Sequence, residues 1–125
     1  MELNGETLRF IREHCKDDVR SLALQAPKYP GVDMSVALTQ IAGRQAAAEK
    51  IPSWHEEEGV LYPRHLSLEQ CSSEATARYK ASIIPESSSG TLTDLTGGFG
   101  IDCAFLSPKF HHVTYVERQE VLCEI

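Results

Sequence analysis

The chain is short of several things. Its 125 residues hold one tryptophan, two methionines and only 12 Lys and Arg against 18 Asp and Glu, for a net charge of −6. A phosphate backbone is held mainly by Lys and Arg, so this composition argues against a strong nucleic-acid surface on the chain itself. Before Gly90 there are 10 basic and 13 acidic residues, and after it 2 and 5, so neither part is basic. A local basic patch, for instance with Arg44 and Lys50, stays open. No apolar run approaches the ~18 residues that a bilayer span needs. The first residues, Met1-Glu-Leu-Asn-Gly-Glu6, lack the basic and then apolar regions of a secretory signal, so a cytoplasmic location is expected. The four cysteines, at 15, 71, 103 and 123, form no Cys-x-x-Cys pair, which removes the usual zinc and redox spacings.

What is present is an ordinary soluble composition, 42% hydrophobic and 24% charged. The first 85 residues read as helical. Asn4 is placed to cap a helix reaching about Cys15, with Leu8, Ile11 and Cys15 on one face. Asp17 is placed to cap a second helix, with a stripe of Val19, Leu22, Ala23 and Ala26, closed by Pro27. Asp33 starts a third and longer helix through about Lys50, with Met34, Leu38, Ile41 and Gln45 on one face, and Pro52 closes it. Residues 53–63 read as a connector. Ser67-Leu-Glu-Gln70 has the spacing of a capping box, and Ser72 or Ser73 restarts a helix through Ala75, Tyr79 and Ile83. The sequence Pro85-Glu-Ser-Ser-Ser-Gly90 reads as a linker. The expected organisation is a helical domain over 1–85, a linker over 86–90 and a second domain over 91–125.

After the linker the pattern changes. The run Thr91-Leu-Thr-Asp-Leu-Thr-Gly-Gly-Phe-Gly-Ile-Asp102 reads as a short strand, a glycine loop and a helix start. A helix over 101–107 stops at Pro108, a second strand covers 113–117, and another helix begins near Val121. This is one β-α-β unit with a right-handed crossover expected. A nucleoside cofactor needs a sharp turn at a strand end and close backbone approach, which Gly97, Gly98 and Gly100 permit. It also needs amides for its polar groups and an acid for its ribose. Glu117 follows Gly98 by nineteen residues, close to the ~20 of nucleotide-binding folds. A dinucleotide site wants Gly-x-Gly-x-x-Gly. Gly98-Phe-Gly100-Ile-Asp-Cys103 puts a cysteine at the third glycine, and Asp94 at the strand end also fits a dinucleotide poorly.

These residues resemble the class I S-adenosylmethionine-dependent methyltransferases, whose first strand is followed by Asp-x-x-x-Gly-x-Gly. Asp94, Gly98 and Gly100 match that motif, and Glu117 matches the acid ending the family's second strand. The resemblance implies that Asp94 and the loop (Thr96, Gly97, Gly98, Phe99 and Gly100) hold the methionine end of S-adenosylmethionine, and that Glu117 holds its ribose. Thr96 stands where glycine is frequent, and Phe99 where a small residue is frequent. Loops of the Asp-x-Thr-x-Gly-x-Gly-x-Asp kind look more like a subset acting on RNA, in which an acid corresponding to Asp102 is common. Leu68-Glu-Gln-Cys-Ser-Ser-Glu-Ala75 and the helical region from Leu22 to Trp54 are similar to bacterial, Bacteroidetes-type methyltransferases with a THUMP-like domain. The implied fold is α/β: a helical domain followed by the first β-α-β of a Rossmann-like domain, the N-terminal part of a longer protein.

Other constellations read as structure. Trp54-His-Glu-Glu-Glu-Gly59 lacks the second histidine of a His-Glu-x-x-His zinc site. His111 and His112 are adjacent and point to opposite faces if in a strand. The serines at 87–89 have no accompanying base. Trp54 and Tyr62 read as packing anchors. No catalytic base is nominated, because methyl transfer chiefly needs an oriented acceptor. Three functional expectations stand: an RNA methyltransferase using S-adenosylmethionine, a helical RNA- or protein-binding module carrying a structural β-α-β, and, behind these, a nucleotide or dinucleotide binder. A truncated parallel unit leaves strand edges uncovered, so self-association is a further expectation.

Overall fold

A computed structural model describes residues 3–86 and 90–125. The chain forms two compact units, Met1–His65 and Leu66–Ile125.

The first unit is helical. Helix α1 (Gly5–Glu13) starts at Asn4, whose side chain accepts from the Thr7 amide at 2.8 Å. Helix α2 (Val19–Leu24) is capped by Asp18, which accepts from the Ser21 amide at 2.8 Å. The expected cap, Asp17, is engaged by the His14 ring at 2.6 Å instead. Helix α3 (Met34–Lys50) starts at Asp33, which accepts from Val36 at 3.1 Å. Each cap satisfies one of the amides that a helix start leaves without an intrahelical partner. Pro52 does not simply close α3. It opens helix α4 (Pro52–Glu56), where its missing amide costs nothing, so part of the expected connector is helical.

Phe10, Leu22, Ala37 and Ile41 form the core of this unit, with Ile11, Val19, Tyr29, Val32, Met34 and Leu38 packed around them. The buried face of α1 is Thr7 and Phe10 rather than the expected Leu8 stripe. Phe10 takes the inside place because its ring meets His14 at 4.4 Å and Tyr29 at 4.8 Å. Leu8 lines a cavity of about 410 Å³ with Leu3, Ile11 and Val60. On α3, Ala37, Gln40, Ile41 and Ala47 are buried. Gln45, expected on the apolar face, is exposed, and its amide nitrogen donates to the carbonyls of Cys15 and Asp17 at 3.1 and 2.8 Å.

Buried Gln40 reads one backbone unit from both sides. It donates to the Tyr62 carbonyl at 2.9 Å and accepts from the Tyr62 amide at 2.8 Å. Tyr62 is 2% exposed, a packing anchor as expected, and its hydroxyl donates to the Trp54 carbonyl at 3.2 Å. Gln40→Ala removes both side-chain bonds and leaves buried backbone groups unmatched. A loss of about 1–3 kcal/mol is expected in urea denaturation.

The second unit holds helices α5 (His65–Gln70) and α6 (Glu74–Ser82), strand β1 (Thr91–Asp94), helix α7 (Ile101–Leu106), strand β2 (His112–Tyr115) and helix α8 (Glu120–Glu124). Ser67 lies inside α5 rather than at its start, so the expected capping box does not form there. Ser73 caps α6, accepting from Thr76 at 3.1 Å. The serines at 87–89 of the expected linker lie outside the described residues. The compact units divide ahead of that linker because α6 packs on α7. Arg78 stands over the Phe105 ring at 4.9 Å, and Lys80 reaches Asp102 at 2.8 Å.

Strands β1 and β2 pair in parallel, from Thr91 opposite His112 to Asp94 opposite Tyr115. The second strand was expected at 113–117, so Glu117 lies two residues past β2 rather than on it. The fold is thus helix-rich α/β with a two-stranded parallel sheet. No described helix is long and apolar enough to cross a membrane.

Candidate functional site

The parallel register brings the C-terminal ends of both strands to one end of the sheet. The Val116 amide donates to the Asp94 carbonyl at 2.9 Å, and the Gly97 amide donates to the Val116 carbonyl at 2.8 Å. These two bonds carry the pairing beyond the strands and stitch the glycine loop to the chain leaving β2. In open parallel sheets this end is where ligands are bound.

The loop is shaped by short-range bonds. Asp94 Oδ1 accepts from the Thr96 amide at 3.1 Å, a turn in which the side chain takes the place of a backbone acceptor. Gly98 and Gly100 have φ of +53° and +81°, the left-handed region that L residues disfavour. Gly97 is needed for a different reason: a Cβ there would lie 2.1 Å from Cε2 of the Tyr115 ring. Tyr115 covers the loop, and its hydroxyl donates to the Gly98 carbonyl.

Glu117 closes the arrangement. Its Oε2 accepts from the Gly98 amide at 2.9 Å, and its Oε1 accepts from the Gln119 amide at 2.9 Å. These amides, Gln119 first and then Gly98, hold its carboxyl below the usual glutamate range. A carboxylate offers about four lone-pair positions, so both oxygens keep acceptor capacity for hydroxyl groups.

Asp94 Oδ2 faces Cys103 of α7, whose Sγ lies at 3.5 Å. Burial first, and then Asp94, push the Cys103 thiol up to about 11. It is therefore a protonated donor at neutral pH and not a nucleophile. Asp102, also on α7, uses Oδ2 for Lys80 Nζ at 2.8 Å and Ser72 Oγ at 3.0 Å. Its Oδ1 is shut from solvent and has no partner among the described residues. A cavity of about 350 Å³ is lined by Lys80, Thr93, Asp94, Asp102 and Cys103, with Leu92 among its apolar walls.

The structure thus brings Asp94, Gly97, Gly98, Gly100, Asp102 and Glu117 around one end of the sheet. Phe99 is buried at 9% exposure, so its side chain belongs to the core. Thr96 is exposed, and its backbone amide is the group engaged. Sequence reasoning missed Tyr115, Ser72 and Lys80. Strand alternation offered a signal for Tyr115, since it shares the parity of Glu117. Ser72 and Lys80 carry no such signal, because their partner Asp102 lies 30 and 22 residues away. Among the described residues, no group of three or more His, Cys, Asp or Glu is placed to hold a metal ion.

No protein-family model matches this chain, and no curated protein matches it either. Among solved structures it is similar to one described as "putative methyltransferase from Porphyromonas gingivalis W83", with a TM-score of 0.70 and 28% identity. The likeness covers 96% of this chain and 30% of that one, so this chain spans less than a third of its neighbour's length. It shows that these residues share the fold of part of that protein.

Two outcomes follow from this geometry. Gly97→Ala sets a methyl group into the Tyr115 ring and is expected to cost about 1–3 kcal/mol in thermal or urea unfolding, as other overpacked sites do. Glu117 stabilises the loop while ionised. That contribution is present above the ordinary glutamate value of 4.5 and is lost as pH falls through its lower folded value. A carboxyl-carbon NMR titration is expected to place the Glu117 midpoint below 4.5, with the Gly98 amide signal moving at the same pH.

Proposed function

We propose that this chain carries the first part of an S-adenosylmethionine site in a methyltransferase that acts on RNA. The observation that carries the reading is the bond from the Gly98 amide to Glu117, 2.9 Å long, across the ends of two parallel strands. It sets an acid beside a glycine-rich loop, with Asp94 at the tip of the neighbouring strand. The donor set suits the ligand's chemistry. S-adenosylmethionine has a cationic amino-acid end and a ribose diol. In this reading Asp94 and Asp102 face the cationic end, the loop of Thr96, Gly97, Gly98, Phe99 and Gly100 lends backbone approach, and Glu117 accepts from the diol. The bound group supplies the electrophilic methyl carbon.

RNA as the acceptor rests on the similarity of the Asp94–Asp102 loop to RNA-modifying methyltransferases. The net charge of −6 means that the chain adds little to holding phosphates, so this reading puts RNA recognition in the rest of the parent protein.

The test is an amide NMR titration of the 125-residue chain with millimolar S-adenosylmethionine, S-adenosylhomocysteine and NAD. Shifts are expected at Gly97, Gly98, Gly100 and Gln119 with the first two ligands, and their loss in Glu117→Gln. Shifts confined to Met1–His65, or a response to NAD alone, would defeat the reading. For the acceptor, transfer of labelled methyl to the RNA fraction by the gene's complete product is expected, and transfer to protein alone would remove RNA.

A further inference from the structure

Asp102 is the least settled carboxylate in the second unit. One oxygen has two donors: Lys80 Nζ at 2.8 Å and Ser72 Oγ at 3.0 Å. Lys80 also donates to Ser72 Oγ at 3.0 Å, which closes a three-membered ring of polar groups. The other oxygen, Oδ1, is buried with no donor among the described residues. A buried acceptor left unmatched costs about 1–3 kcal/mol, and native structures keep few of them. The ion pair within the ring is partly exposed, with the Lys80 and Asp102 side chains 43% and 33% accessible. The ring draws on the approach to α6 (Ser72), on α6 itself (Lys80) and on the first turn of α7 (Asp102), so the three groups lock one another's positions.

Asp102 stands on the wall of the same cavity as Asp94 and Lys80. Two carboxylates and one ammonium leave that cavity with a net charge of −1, by the formal charges of the residues lining it. S-adenosylmethionine carries a sulfonium, an ammonium and a carboxylate, a net +1.

We propose that Lys80 and Ser72 are positioning residues of the methyl-donor site: they hold Asp102 through Oδ2 so that its carboxylate charge stands on the cavity wall with that of Asp94 and attracts the donor's ammonium group. This rests on the cofactor reading above and adds the residues that set its amino-acid end. Lys80 acts through Asp102 and does not itself touch the ligand's cationic groups, which it would repel.

That repulsion gives the test its sign. If Lys80 were only a nearby charge, Lys80→Met would make the cavity more negative and tighten a cationic ligand. If it positions Asp102, the same change frees the carboxylate and weakens binding. The experiment measures dissociation constants by calorimetry or NMR titration for S-adenosylmethionine, S-adenosylhomocysteine and methylthioadenosine, which lacks the amino-acid end. The proteins are the unaltered chain, Lys80→Met, Lys80→Arg, Ser72→Ala and Glu117→Gln, each checked for an unchanged amide spectrum in Met1–His65 and for its melting temperature.

The expected result is at least about tenfold weaker binding of the two amino-acid-bearing ligands in Lys80→Met, the scale of one charge-assisted hydrogen bond. A smaller loss is expected in Ser72→Ala, substantial recovery in Lys80→Arg, and unchanged methylthioadenosine binding in all the Lys80 and Ser72 variants, whereas Glu117→Gln weakens all three ligands. Equal or tighter S-adenosylmethionine binding by both Lys80→Met and Ser72→Ala would overturn the proposal while Glu117→Gln still lost it. Equal weakening of methylthioadenosine in Lys80→Met and Ser72→Ala would also overturn it, since that marks a general structural loss. If neither the unaltered chain nor any variant bound these ligands, both this inference and the cofactor reading would fall. If Lys80→Met does not fold, Ser72→Ala decides alone.

Discussion

The contact between the Tyr115 ring and the bare backbone of Gly97 governs the second unit. A parallel pair of four-residue strands is a small structure, and parallel pairing is rarely left without cover. Here the ring of β2 lies over the loop that leaves β1, while two backbone bonds join that loop to the chain leaving β2. The strand ends are thereby tied to each other rather than frayed. That tie keeps Asp94 and Glu117 on the same end of the sheet, and it allows one loop amide to reach one carboxylate. The loop groups, Asp94 and Glu117 take their positions from this closure, while Asp102 is held from α6 and its approach.

The carboxylates around the loop are treated differently by their surroundings. Glu117 is satisfied by two amides and held ionised. Asp94 is divided between the Thr96 amide and the Cys103 thiol, and the thiol stays protonated because burial and the neighbouring acids disfavour its charge. Asp102 is bound by α6 and its approach through one oxygen only. Three acids around one end of the sheet are thus held in different ways: one by two amides, one as a turn-forming side chain and one braced from a neighbouring helix.

The first unit follows a different logic. It is organised by α3, against which α1, α2 and α4 pack. Apolar packing at Phe10, Leu22, Ala37 and Ile41 supplies the core, while two glutamines on α3 fix irregular backbone. Gln40 grips Tyr62, and Gln45 grips the turn after α1. A side-chain amide can donate and accept at once, so it stands in for a strand partner where no strand exists. This places the connector after α4 without secondary structure of its own.

The sequence alone determined the local elements and their order. Asn4, Asp33 and Ser73 mark helix starts because an oxygen one turn ahead of free amides is a local chemical fact. The Asp94 to Gly100 run defines a strand, a bend and a helix start because glycine's freedom is a property of the residue itself. Near-equivalent choices were decided by packing: Asp18 rather than Asp17 as cap, Phe10 rather than Leu8 as core, α6 with the sheet rather than with the helices before it. Only the tertiary structure joined Ser72 and Lys80 to Asp102 and laid Tyr115 over Gly97. Those contacts link residues 18 to 30 positions apart along the chain, and periodicity within a helix or strand carries no information across such a distance. It is the enclosure of the groups, not their identity, that leaves one oxygen of Asp102 without a donor among the described residues.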